Sequence, residues 1–160
     1  MKKNEFEKIK DKSKYQVFCF SSPVPFPLCF AVHTWFVINL KGKIHRIEFG
    51  KFMVSENEKR VKTGVFKDFI RPTNGMNKYF WKPKPRFKSK LIGVVEGGEN
   101  SIAKKMTVFI KNKSSEYPLK DKYSLIGPNS NTFTQWILDK FHESDLKLPF
   151  NAFGKRYKFK

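Results

Sequence analysis

Phe30-Ala31-Val32-His33-Thr34-Trp35-Phe36-Val37-Ile38-Asn39-Leu40, then Lys41-Gly42, then Lys43-Ile44-His45-Arg46-Ile47-Glu48-Phe49: this stretch reads as a β-hairpin. Both runs are rich in Phe, Val and Ile, the residue types that suit a pleated, half-buried surface. The Lys-Gly pair between them offers a tight turn. With Lys41-Gly42 as a two-residue loop, Leu40 opposes Lys43, so Ile38 faces His45 and Trp35 faces Glu48. Alternation then sorts the side chains, because residues opposite one another share a face. One face carries His33, Trp35, Val37, Arg46 and Glu48. The other, more apolar face carries Phe36, Ile38, His45, Ile47 and Phe49. In this register Glu48 lies diagonal to His33, roughly 7 to 8 Å away between backbones, a gap that a glutamate side chain closes to a hydrogen bond. Such a carboxylate would fix the imidazole tautomer and stabilise its protonated form. The pairing depends on the register, since a slip of one residue moves Glu48 to the far face. Plainer readings stand beside it: a histidine satisfied by a backbone carbonyl, and a glutamate paired with Arg46 or a lysine.

Outward from the hairpin, Tyr15 to Phe20 reads as another strand, joined to the first by the Ser-Ser-Pro-Val-Pro-Phe-Pro linker. The basic section from Gly50 to Lys90 is broken at Asn74-Gly75 and Lys82-Pro83-Lys84-Pro85 and reads as loops with short strands. Leu91 to Val95 is a short apolar strand ended by Gly97-Gly98. After it Ile102, Met106, Phe109 and Ile110 recur at helical spacing, predicting an amphipathic helix over about 100–111. A second helix is predicted from near Ser130, with Phe133, Trp136, Ile137 and Phe141 as its buried face. An extended tail carrying Leu148-Pro149 and Gly154-Lys155 follows. Strands early and helices late give an α+β domain, an antiparallel sheet with helices packed on it. The expected division is a charged N-terminal segment, 1–14, and one domain, 15–160.

The start of that second helix, Gly127-Pro128-Asn129-Ser130-Asn131-Thr132-Phe133, places a hydroxyl at a helix N-terminus. Free N–H groups and the positive dipole end stabilise negative charge there. The same residues also suit plain capping, with Thr132 and Gln135 forming a capping box.

Several separated motifs resemble one bacterial family, catalogued as domain of unknown function 3750. They are His33-Thr34-Trp35, Arg46-Ile47-Glu48, Tyr117-Pro118, Gly127 to Phe133, and Leu148-Pro149 with Ala152-Phe153-Gly154-Lys155-Arg156-Tyr157. Arg156 stands where that resemblance leads one to expect an acidic residue. More distantly, Asn129-Ser130-Asn131-Thr132-Phe133 resembles the Asn-Cys-x-x-Phe helix start of circularly permuted NlpC/P60-type enzymes, a papain-like group. In that permuted order the base histidine precedes the nucleophile, as His33 precedes Ser130. The resemblance implies a permuted papain-like architecture with Ser130 as nucleophile, His33 as base and Glu48 orienting it. Asn129 or Asn131, or main-chain N–H groups near Ser130, would hold the oxyanion or substrate. Trp35, on the same sheet face as His33, reads first as an aromatic core residue and second as the wall of a ligand groove. Serine replaces the cysteine of those enzymes. A hydroxyl depends on its base and oxyanion donors far more than a thiolate does, so the change suits a working serine hydrolase or acyltransferase and equally a module that binds without turnover.

Composition bounds the partners. The 160 residues suit one domain, and 39% hydrophobic residues with 16% aromatics are enough to build a core. A formal charge of +19 favours non-specific contact with nucleic acid, an anionic surface or another polyanion. The excess is lysine, however, and with few arginines for bidentate base contacts a sequence-specific nucleic-acid reader is disfavoured. Lys, Phe, Asn and Ile abound together and share A/T-rich codons, so genomic base composition accounts for part of the charge. The expected substrate is a small molecule, peptide or lipid carrying an amide or ester. No cofactor and no metal is expected: His45 and His142 lack companions at ligand spacing, and Cys19 and Cys29 form no Cys-x-x-Cys pair. Neither cysteine competes well as nucleophile. Cys29 shares the strand face of His33 but lies roughly 13 Å from it along an extended chain, and a free cysteine such as Cys19 is ordinarily a small buried hydrophobe. The charged first 14 residues and the prolines at 23, 25 and 27 fit neither a signal peptide nor a transmembrane helix. The expected location is cytoplasmic, with the cell envelope as the alternative that the enzyme resemblance brings.

Overall fold

The computed structural model describes residues 1, 3–25, 27–55, 60–68 and 89–157. Strands β1 (Tyr15–Pro23), β2 (Val32–Leu40), β3 (Lys43–Ser55), β4 (Arg60–Lys67) and β5 (Lys90–Gly97) form one antiparallel sheet in the order β4-β3-β2-β1-β5. Helices α1 (Lys3–Ile9), α2 (Ile102–Lys113) and α3 (Ser130–Leu138) complete an α+β fold. The sequence reading placed loops with short strands between Gly50 and Lys90. Instead β3 runs 13 residues, and β4 pairs with it from Ser55↔Arg60 back to Ile47↔Lys67. The breakers at Asn74-Gly75 and Lys82 to Pro85 lie outside the described residues.

The turn at Lys41-Gly42 sets the central register. Lys41 has φ +50 and Gly42 φ +94, the paired left-handed geometry whose twist matches that of the flanking strands. Leu40 therefore pairs with Lys43, Ile38 with His45 and Phe36 with Ile47. The Asn39 carboxamide oxygen accepts from the Gly42 N–H at 2.7 Å and holds the turn from inside.

Alternation in this register produces two cores. Val17, Cys19, Phe36, Ile38, Ile47 and Phe49 face α2 and α3, where Met106, Ile110, Phe133 and Ile137 complete the larger core with Tyr117. Phe18, Phe20, Trp35 and Val37 face the other way and are joined by Phe6 of α1. Phe6 meets Phe18 edge-on at 5.0 Å between centroids, the geometry aromatic quadrupoles prefer. The N-terminal segment, read from sequence only as charged, thus contributes a fully buried ring. Helix α2 begins at Ser101, whose hydroxyl accepts from Lys104 N, and α3 is shorter than the apolar periodicity suggested. It ends at Leu138, leaving Phe141 beyond it as a partly buried neighbour of the core.

Gly42→Ala is expected to lower stability to urea unfolding by about 1 kcal/mol, because an added Cβ is strained at positive φ. Gly64, in β4, has open space where a Cβ would stand and an ordinary backbone. Gly64→Ala should leave stability unchanged or raise it by about 0.5 kcal/mol.

Candidate functional site

Ser130 is the first residue of α3, and Asn129 is its N-cap. The Asn129 carboxamide oxygen accepts from Asn131 N at 3.0 Å and Thr132 N at 3.3 Å, and the Thr132 hydroxyl accepts from Asn129 N at 3.1 Å. The capping box is therefore Asn129 with Thr132, one turn earlier than the Thr132 and Gln135 pair expected from sequence. Gln135 instead donates to Asp139 at the other end of the helix, at 2.7 Å. The Ser130 N–H and hydroxyl make no hydrogen bond among the described residues, although Ser130 is only 2% exposed. These groups sit at the positive end of the helix dipole.

Both neighbouring asparagine amides are occupied. Asn129 donates to the Leu125 carbonyl at 2.9 Å. Asn131 donates to the carbonyls of Val32 at 2.9 Å and Phe153 at 2.8 Å, stapling α3 to the start of β2 and to the C-terminal segment. Its oxygen accepts from the Thr34 hydroxyl at 2.9 Å. Thr34 also lies 2.9 Å from the Thr134 hydroxyl, which donates to the Ser130 carbonyl at 2.9 Å. Gly154 lets the C-terminal segment approach: its φ is +87, and a Cβ there would stand 2.6 Å from the Asn129 amide nitrogen. The expected oxyanion or substrate role of Asn129 and Asn131 would therefore require them to leave backbone partners.

His33 Nε2–H donates to Glu48 Oε2 at 2.9 Å. The same carboxylate oxygen accepts from Arg46 Nη2 at 2.9 Å, and the Arg46 guanidinium lies 4.8 Å from the centre of the Trp35 ring. Arg46 and Glu48 are each 1% exposed. Burial pushes the Arg46 pKa down, and the adjacent Glu48 charge opposes that shift. Trp35 is fully buried, stacked against Phe20 at 5.8 Å and His33 at 5.9 Å. It belongs to the smaller core and not to a groove wall, because Phe20, His33 and Arg46 surround its ring and leave none of it exposed.

Alternation gives His33 and Trp35 to one sheet face and Thr34, with its contacts to α3, to the other. His33 and Ser130 nevertheless reach one cleft of about 240 Å³ at the end of β2. Val32, Lys51, Tyr123, Leu125 and Phe153 also line it. Of these, Phe153 lies in a motif legible in the sequence. Lys51 and Tyr123 gave no signal, since only the long β3 and the turn before α3 bring them there.

The remaining candidates separate. Cys19 is buried, and burial pushes its thiol pKa far up, so it is no nucleophile at neutral pH. Cys29 is exposed, outside the residues that line the cleft. His45 has a partner that its sequence neighbours did not reveal, Asp68, which accepts from Nδ1–H at 2.8 Å. Among the described residues no group of three or more His, Cys, Asp or Glu side chains is placed to hold a metal ion.

One family model matches residues 14–157 of the chain. The chain belongs to the family described as protein of unknown function (DUF3750). No curated protein and no solved structure matches it. The match takes in every residue of the cleft and every strand of the sheet, so the site built above belongs to the family's own domain.

Removing one member of the buried pair should cost more than removing both. Glu48→Gln leaves the Arg46 charge buried without compensation, with an expected loss of about 3 to 5 kcal/mol. Glu48→Gln combined with Arg46→Met should recover a measurable part of that loss in urea titrations. An alkylating reagent should modify Cys29 in the native protein and Cys19 only after global unfolding, as read by mass spectrometry. Equal native rates would contradict the burial of Cys19.

Proposed function

We propose that the cleft is the active site of a hydrolase or acyltransferase that acts on an amide or ester. The observation that carries this reading is the meeting of Ser130 and His33 in one cleft, with the imidazole already held by Glu48. With Nε2 given to Glu48, Nδ1 is the nitrogen that would take the Ser130 proton. Ser130 Oγ would attack the carbonyl carbon while the Ser130 N–H and the helix dipole stabilise the oxyanion. Collapse would expel the amine or alcohol with the proton from His33, leaving an acyl-serine. Water or a second nucleophile would then release the acyl group, restoring Ser130. Glu48, itself clamped by Arg46, would act by orienting the ring. A permuted papain-like arrangement, with serine for cysteine at the helix start, is the architecture this reading implies.

A second reading has its own support. His33 projects from the sheet face opposite α3, and the amides of Asn129 and Asn131 are taken by backbone carbonyls. A domain so arranged suits a non-catalytic basic module for an anionic surface or polymer.

The two readings part on Ser130 chemistry. In the catalytic reading a fluorophosphonate probe labels Ser130, and Ser130→Ala and His33→Ala each lower turnover of a responsive ester or amide by about 10⁴-fold. Ser130→Cys should react with an alkylating probe faster than Cys29 does. Absence of both labels, in protein that melts like the unsubstituted chain, would sink the catalytic reading.

A further inference from the structure

Solvent-exposed apolar side chains concentrate at the end of the sheet where the cleft opens. Ile126 is 78% exposed and Phe150 90%, with Phe30 and Leu125 above half. Three separate segments supply them, and fixed contacts hold the segments together. Phe30 packs edge-on against Phe153 at 5.9 Å. The Asn151 amide donates to the Phe30 carbonyl at 2.9 Å, and the Asn151 carbonyl accepts from Val32 N at 3.2 Å. Asn131 ties Val32 to Phe153. Gly127, next to Ile126, lies against Tyr157. Leu125 and Phe153 line the cleft itself. The patch is therefore preformed, and its most exposed members, Ile126 and Phe150, are the tips of turns that stand out from the described residues. A cluster of this kind marks an interaction surface, whereas single exposed apolar residues need no explanation.

Cations fringe the patch. Lys51 lines the cleft, and Lys120, Lys122, Lys147 and Arg156 are exposed in or beside the same segments, against Asp121 and Asp145. The chain as a whole carries +19. Protruding apolar tips within a lysine fringe match an anionic bilayer, where the tips enter the headgroup and acyl boundary and the lysines meet lipid phosphates. Protein interfaces are depleted in lysine. A platform for single-stranded nucleic acid would use the rings of Phe30, Phe150 and Phe153 for stacking but gives the aliphatic tips Leu125 and Ile126 no role, whereas a bilayer takes up both kinds of side chain. Among the described residues no helix is long and apolar enough to cross a membrane, so contact through this surface would be peripheral.

We propose that this end of the domain docks on the surface of an anionic lipid bilayer, with Ile126, Phe150 and Phe30 inserted and the cleft opening toward the lipid. The surface goes beyond the catalytic reading and does not depend on it, because none of the three inserting residues belongs to the proposed chemistry.

The test is sedimentation with phosphatidylcholine vesicles, with and without phosphatidylglycerol, at about 0.15 M salt. The full chain is compared with a charge-neutral double variant, Ile126→Ser with Phe150→Ser. Binding should require phosphatidylglycerol and fall about tenfold or more in the double variant. Val94→Ser with Val108→Ser, exposed apolar positions on β5 and α2, should bind like the unsubstituted chain. Undiminished binding by the Ile126 and Phe150 variant, with folding verified by its melting curve, would mean that charge alone holds the vesicles and would overturn the proposal. So would equal binding to vesicles lacking phosphatidylglycerol, or an equal loss by that variant of binding to a single-stranded oligonucleotide.

Discussion

A β-strand has two faces, and β2 is buried on both. That constraint organises the domain. His33, Trp35 and Val37 must go one way, and Thr34, Phe36 and Ile38 the other. Because β1 beside it is also buried on both faces, a slip of one residue would drive Thr34 into the aromatic layer of Phe18 and Phe20 and turn Trp35 against α3. The cost would fall on every layer at once, which is why a two-residue turn suffices to specify the register.

The same constraint forces charge into the interior. The parity that carries Trp35 and Val37 to the smaller core carries Arg46 and Glu48 with them. Two ions removed from water are tolerated only when paired and hydrogen-bonded, and such pairs seldom add net stability. What the pair supplies here is position. Arg46 lies over Trp35 and bonds the Glu48 oxygen that holds His33, so three side chains from two strands fix one imidazole. Arg46 is held in turn at its own N–H, which donates to Asp68 at 2.9 Å.

On the opposite face a neutral network does comparable work. Asn131 joins α3, β2 and the C-terminal segment through three hydrogen bonds, and Asn129 caps the helix while gripping the turn before it. Each amide replaces water at a backbone group that burial would otherwise leave unsatisfied. The cleft lies where these two networks approach each other at the end of β2, with Ser130 at the helix end and His33 at the strand end. The segments around it are connecting chain carried on a rigid sheet, the usual seat of recognition.

By itself the sequence determined what depends on local geometry. The turn at Lys41-Gly42, the β2 and β3 register, the face carrying His33 with Glu48, and the helix opening at Ser130 all follow from turn chemistry, a period of two and a capping preference, each acting over a few residues. Tertiary structure decided what depends on distant partners. Gly50 to Ser55 and Arg60 to Lys67 have no clean alternation, and they form strands because β3 and β4 satisfy each other's backbone. Phe6 is buried because Phe18 and Phe20 lie opposite. Trp35, open from sequence to a core or a groove place with the core the plainer one, lies in the core, its ring surrounded by Phe20, His33 and the Arg46 guanidinium. Asn129 is the helix cap, and the Thr132 hydroxyl accepts from its N–H while donating to the distant Gly154 carbonyl at 2.8 Å, with no bond forward to Gln135 among the described residues. Such partners lie tens of residues away, and a period read along one chain carries no information about them.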